Sequence, residues 1–443
     1  MTPRRAPNDR LRSLLREAQW TQEACARAVN AVGVEVAVRL AYDRTAVAHW
    51  LAGTQPHEPV PRLLAEAFTR RIGRAVTREE LGFAQAAAPE PADSLLAAVG
   101  ADASVPPYRV PTPAPRWREL AERRAVADGR GAPPRVGSSE AELLGDAVRH
   151  FARAMATHGG AHGRRALSVY LSDTAASWLR APADEEIRRG LRRETAHLAL
   201  VLGLMHADMG EHGRAQRSFA TSATLAREAG DKTAWAIGLR AQSAQALALG
   251  HRAAARECAL AAVDATADRS PGAVRAYTLS QLGVVQAALK DERAALRTLD
   301  EAEQALGDGD GDGDGERASD GGAGESPFRS YPESALAFQS AETLRLLDRP
   351  ALALRALNRS VRARVPHERR AVALTLARQA ELLFACGRLD EACAAWGQFV
   401  QAREGLRSRT VTDASRAMRA ALAPYARHPA VRRLSLVRPM AEM

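Results

Sequence analysis

Lysine is nearly absent from this chain of 443 residues: Lys232 and Lys290 stand alone, and every other basic chain residue is arginine. Cysteine is scarce as well. Cys25, Cys258, Cys386 and Cys393 are scattered and lack the dense spacing of a disulfide framework. Cys386 and Cys393 straddle an expected turn and are expected to be buried small residues rather than a redox pair. Aromatic residues make up 5% of the chain, so its cores must be built mainly from aliphatic side chains. No window reaches 18 uninterrupted apolar residues, which excludes an obvious membrane-spanning helix. The N-terminal stretch has no apolar core of the signal-peptide kind. A soluble, cytoplasmic protein is therefore expected, with no membrane partner.

What is abundant is alanine and arginine. The formal charge of +10 would ordinarily point to nucleic acid or an acidic surface. The bias toward these two residues is what a very GC-rich genome produces, so the charge is discounted. Residues 1–83 hold 13 arginines against 9 acidic residues, which is compatible with a DNA partner and no more. The length is too great for one core and calls for two or more domains.

The most informative stretch runs from Trp20 to Pro56. Thr21 is placed to cap a helix, with Ala24 and Ala28 on one face of it. Asp43 is placed to cap a second helix over Arg44 to Leu51. In that helix Val47, Trp50 and Leu51 share a face that would be buried, leaving Arg44, Thr45, Ala46 and His49 pointing outward. Gly53 supplies the left-handed residue that ends a helix, and Pro56 prevents resumption. The segment resembles the Cro/repressor-type (XRE) helix-turn-helix family: a Thr-Gln pair opens the second helix, and the recognition helix closes on Trp, two residues and Gly. The resemblance implies that Gln22 touches a phosphate or base edge, that Arg44, Thr45 and Ala46 face the major groove, and that His49 lies near a phosphate. The sequence departs from the family in two ways. Fifteen residues, 27 to 41, separate Ala26 from Tyr42, where a longer loop or an added helical turn is expected. His49 also stands where the family usually has a cation.

A further helix is expected over Pro61 to Ile72 and a capped turn over Thr77 to Leu81, ending the module near Phe83. Residues 84–137 form a Pro/Ala-rich linker, with one short helix expected over Arg116 to Ala127. From 138 to 424 the pattern is helical and repetitive, and 425–443 is a tail. Gly210, Gly250 and Lys290 mark inter-helix turns 40 residues apart, and Asp348 and Gly387 mark two more, 39 apart. The longer gap between Lys290 and Asp348 holds a Gly/Asp insertion over 307–327. Leu202-Gly203, Ala215 and Phe219 keep the same spacing as Leu282-Gly283, Ala295 and Leu299, which lets paired helices approach closely.

These spacings resemble the tetratricopeptide repeat, with five units over 188–405, a weaker pair over 138–180 and a capping helix from Thr410 to Pro424. The fold class expected is all-α: a helix-turn-helix bundle followed by a tetratricopeptide-like α-solenoid. The resemblance implies that the first helix of each pair lines a concave groove. Its positions include His197, Leu204, Arg240, Leu247, Tyr277, Ser280, Phe338, Glu342, Arg345, Leu374, Glu381 and Phe384, a polar, aromatic and charged surface suited to a peptide or partner protein.

Other chemistry is poorly represented. The run Asp308 to Glu316 mimics a calcium loop, but the positions where its bidentate Glu must stand are Ser319 or Gly321. His158 and His162 straddle two glycines, with no cysteine nearby to complete a zinc site. No nucleophile elbow, phosphate-binding loop or His-Glu-x-x-His motif occurs. No enzyme, cofactor or metal is expected. The arrangement resembles tetratricopeptide-containing regulators of development and antibiotic production in Streptomyces-type actinomycetes. That implies a transcriptional regulator that binds double-stranded DNA as a homodimer under control of a peptide or protein in the groove. The alternative is an adaptor or scaffold that makes no DNA contact.

Overall fold

The computed structural model describes residues 7–36, 38–83, 135–266, 270–309 and 330–437. Among these residues the chain is all-α and contains no strand. Most of the expected linker, including its short helix, and the body of the Gly/Asp insertion lie outside them.

The N-terminal module holds α1 (Asp9–Glu17), α2 (Gln22–Glu35), α3 (Arg44–Leu51) and α4 (Val60–Ile72). Thr21 Oγ1 accepts from Ala24 N and Asp43 Oδ1 from Ala46 N, so both expected caps are formed. Thr77 and Glu80 cap each other's backbone amides in a closing turn. The core is aliphatic with a few rings: Leu11, Val29, Val47, Leu63 and Phe68 are fully buried, and Trp20 packs on Phe68.

The remainder is a stack of helical pairs. A leading pair is α5 (Ser138–His158) with α6 (Arg164–Tyr170), which passes through a π-helical turn into α7 (Ala176–Arg180). Five regular pairs follow. These are α8 (Glu185–Asp208) with α9 (His212–Glu228), and α10 (Lys232–Ala248) with α11 (Arg252–Thr266). Next come α12 (Gly272–Ala288) with α13 (Glu292–Gly309), and α14 (Glu333–Leu346) with α15 (Pro350–Ala363). The fifth is α16 (Arg369–Ala385) with α17 (Leu389–Ala402). Then come α18 (Arg409–Leu422) and α19 (Pro429–Val437). The close approach within a pair has a visible cause: a Cβ on Gly203 would lie 2.4 Å from the ring of fully buried Phe219.

All five turn positions read from the sequence adopt left-handed backbone: Gly210, Gly250, Lys290, Asp348 and Gly387 have φ between 59° and 87°. One cysteine departs from expectation. Cys393 is buried, but Cys386 is exposed, because the left-handed turn at Gly387 carries it to the end of α16 and out of the core. Burial pushes the thiols of Cys25 and Cys258 up to about 12, as expected of inert core residues.

The solenoid closes on itself. Asp208, at the end of α8, has a side chain with no solvent exposure. Its Oδ1 accepts from Arg370 Nε at 2.7 Å and from Ser408 Oγ at 2.8 Å. Its Oδ2 accepts from Gly160 N at 2.8 Å, and its carbonyl accepts from Thr410 Oγ1 at 3.2 Å. The main chain closes the same seam, with Arg407 N donating to His158 O and Ala161 N to Arg407 O. Gly159 and Gly160 are required here, since a Cβ would stand 2.7 Å from Arg407 O and 2.6 Å from Met205 O respectively. Beside the seam, Glu211 accepts from Arg164 and contacts His206 Nδ1 at 2.7 Å. Burial opposes ionisation of Glu211, but the His206 hydrogen bond and the Arg164 charge outweigh it and hold the carboxyl at about 2. Burial also lowers His206, so that its neutral form is favoured.

Two outcomes are expected. Asp208→Ala removes the acceptor of a buried ion pair and should cost on the order of 3–5 kcal/mol, read as a lower denaturation midpoint. Glu211 stabilises the fold fully above its ordinary carboxylate range, and that contribution is lost as pH falls from there toward about 2. The depressed His206 acts with the same sign, since acid protonates the unfolded chain first. A melting series from pH 6 to pH 3 should therefore fall less steeply for Glu211→Gln than for the unmodified protein.

Candidate nucleic-acid interface and solenoid groove

The surface of α3 follows from its cap and its periodicity. Val47, Trp50 and Leu51 are buried, and the Tyr42 ring meets Trp50 edge-on at 5.1 Å. Arg44, Thr45 and His49 are exposed on the opposite side. Gln22, at the start of α2, is half-buried. Ala46 is half-buried and packs against the module core, so the outward position falls to exposed Ala48 instead. The cause is helix phase: residue 46 lies one turn from Trp50 and leans toward its face. Asp43, hydrogen-bonded to Ala46 N, has its carboxyl lowered and stays anionic beside Arg44.

The helix ends cleanly. Gly53 N donates to Trp50 O and Thr54 N to His49 O, with Gly53 at φ 98°. This paired pattern satisfies the last carbonyls and fixes the direction in which the chain leaves.

The long connection before α3 is mostly helix. α2 continues to Glu35, so only residues 36–43 remain to link it to α3. Two devices hold that link. Asn30 reaches across to Tyr42, with Nδ2 donating to Tyr42 O and Oδ1 accepting from Tyr42 N. Gly33 accepts from Val38 N and leaves room for Leu40.

Of the groove positions read from the sequence, seven carry a polar or charged group, and the structure divides them. Arg240 lies over the Tyr277 ring, 4.2 Å from its centroid, joining the first helices of two successive pairs. Glu342 joins two others through Arg378 at 2.8 Å and pairs with Arg345 on its own helix at 2.9 Å, and Arg378 also pairs with Glu381 at 2.6 Å. These five predicted residues (Arg240, Tyr277, Glu342, Arg345 and Glu381) are only partly buried. Ser280 and His197 are corrections. Ser280 is fully buried and bonds Tyr331 Oη at 2.9 Å, and His197 is buried beside Glu194. Both lie on the inter-helix side, where their polar atoms are satisfied internally. Arg378 and Tyr331 were missed. Arg378 lies off the small-residue register used to count groove positions, and Tyr331 follows the Gly/Asp insertion.

His158 and His162 do come together, their rings 4.6 Å apart. Among the described residues no group of three or more His, Cys, Asp or Glu side chains is arranged to hold a metal. No described helix is long and apolar enough to cross a membrane.

Residues 11–84 match a family model described as the SP15 N-terminal domain, so α1–α4 and the closing turn are similar to that domain. The solenoid lies outside the match. No curated protein matches the chain.

Gly33→Ala should place a methyl 2.8 Å from Leu40 Cδ1 and 3.0 Å from Val38 O. The expected cost is about 1–3 kcal/mol, read by chemical denaturation with tryptophan fluorescence. An unchanged midpoint would show that the connection does not constrain α3.

Proposed function

We propose that this protein is a DNA-binding transcriptional regulator of development or secondary metabolism, with a solenoid that takes a peptide or partner protein. One observation carries the reading: Arg44, Thr45 and His49 are exposed on one side of α3 while Val47 and Trp50 are buried on the other. A short capped helix presenting a cation, a hydroxyl and an imidazole is chemically suited to phosphates and base edges in a major groove. The added turns of α2 and the resulting eight-residue link leave α3 firmly braced, which a groove reader needs.

One such helix contacts too few bases for adequate specificity, so a homodimer on two half-sites is part of the proposal. The tetratricopeptide reading supports the other half. The five half-buried groove residues supply charge of both signs and an aromatic face, which fits a peptide with alternating polar and apolar side chains. For the groove to control the module, its ligand must prefer one arrangement of the chain; a preference of roughly 5 kcal/mol moves the population almost completely. The reading places the protein in the cytoplasm and assigns it no catalytic role.

The test is selection of bound sequences from a random duplex pool by the full-length protein, followed by titration of the selected site. Salt-sensitive, sequence-selective binding is expected. Arg44→Ala and Thr45→Ala should each weaken the selected site by an amount corresponding to about 1–3 kcal/mol while sparing nonspecific binding far more. Absence of duplex binding at low salt would leave the adaptor reading in its place.

A further inference from the structure

The module docks on the solenoid through a buried polar contact. Glu66 on α4 and His251 at the turn between α10 and α11 meet at 3.1 Å, with side chains only 4% and 2% exposed. Glu66 Oε1 also accepts from Arg70 Nε at 2.6 Å. Arg70 in turn grips both carboxylate oxygens of Glu35, at the end of α2, at 2.7 and 2.8 Å. Burial works against the Arg70 charge, but its hydrogen bonds to Glu35 and the charge of Glu66 hold it protonated. A Cβ on Gly250 would sit 3.5 Å from Arg70 O, so the backbones of turn and helix are in close contact.

This latch is next to the solenoid seam. His212, one turn of the solenoid back, is lowered by burial and feels the charges of Glu35 and Arg70 on one side and of Arg409 on the other. Its carbonyl accepts from Gln245 Nε2, which ties it to the helix leading into His251. Gly210 carries the Arg409 side chain against its backbone, with a Cβ there only 3.1 Å from Arg409 Cδ. Two residues before Gly210 stands Asp208, which binds Arg370, Ser408 and Thr410. The segment from Asp208 to His212 therefore touches the far end of the solenoid at one end and, through Gln245, the helix that leads into the latch at the other.

We propose that seam and latch form one switch, in which the closed solenoid holds the module in place and opening of the seam releases it. The coupling is mechanical. Separating Asp208 from Arg370 and Arg407–Thr410 lets the 208–212 turn move, and that turn holds Gln245, six residues ahead of His251, through the His212 carbonyl. The recognition side of α3 is exposed while the latch is closed, so the latch does not act by covering it. It sets the orientation in which the module is presented, and with two copies that orientation fixes the spacing of the two helices. This last step rests on the DNA-binding reading above; the switch itself does not.

Hydrogen exchange of the full-length protein, without DNA, tests it. Glu66→Gln and His251→Gln should each lower protection of residues 60–72 and 249–252 by about tenfold or more, and the double variant should be little worse than either single one. Asp208→Asn should lower protection at 157–161 and 407–411 and, in addition, at 60–72. Where Asp208→Asn does not fold, Arg370→Gln opens the same seam from its more exposed side. If seam variants leave 60–72 unchanged, the coupling is overturned. If the two latch variants add independently, the Glu66–His251 contact is not what holds the module. A DNA titration of the same variants then separates the two readings. An altered preference for half-site spacing supports the orientational role, whereas exchange coupling without any duplex binding retains the switch and removes the regulator.

Discussion

One buried carboxylate stands at the centre of the seam that joins the ends of this solenoid. Asp208 has no solvent exposure, and each of its oxygens has a donor. Stacked helical pairs need only their neighbours for stability and would otherwise remain open at both ends. Joining residues 160 or more positions apart changes that. It turns a quasi-one-dimensional stack into a closed body in which strain at one place is felt at another. A buried ion pair is a poor source of net stability, because the desolvation of both partners offsets most of their attraction. What it provides here is register: only one arrangement of α8, α16 and α18 satisfies the carboxylate.

The N-terminal module depends on local chemistry instead. Its helices are started by Thr21 and Asp43, stopped by Gly53 and Gly73, and packed around an aliphatic core with Trp20 against Phe68. The consequence is a short helix with two unlike sides. The charge cluster Glu35–Glu66–Arg70 then sits on a different surface of the module, where it meets His251. The module is thus anchored through one surface while Arg44, Thr45 and His49 stay exposed on another.

The parts legible from sequence are those governed by one or two turns of chain. The caps at Thr21 and Asp43, the buried Trp50 and all five left-handed turn positions are backbone demands that particular residues announce. The turn at Asp348 was readable even without glycine, because its distance from Gly387 preserved the repeat. The connection between α2 and α3 was less legible: Val34 to Leu40 reads as an apolar run, and only the Asn30 and Gly33 contacts show why helix continues through its first part. The groove was partly legible. Counting along a helix located Arg240 and Tyr277 but could not foresee that Ser280 would be taken by Tyr331. Asp208, Glu66 and His251 gave no signal at all. Their partners lie far away in sequence, and a lone acid at a helix end ordinarily faces solvent.

The claim at the centre of this account is that the exposed side of α3 reads duplex DNA. Photo-cross-linking measures it most directly, with a benzophenone side chain placed at position 45 of the full-length protein and the same group at Leu352, on an exposed part of the solenoid, as the control. With a duplex taken from the selected pool, the account expects a cross-link to a base from position 45 and none from position 352. Equal labelling from both positions, or labelling of protein alone from position 45, would contradict it.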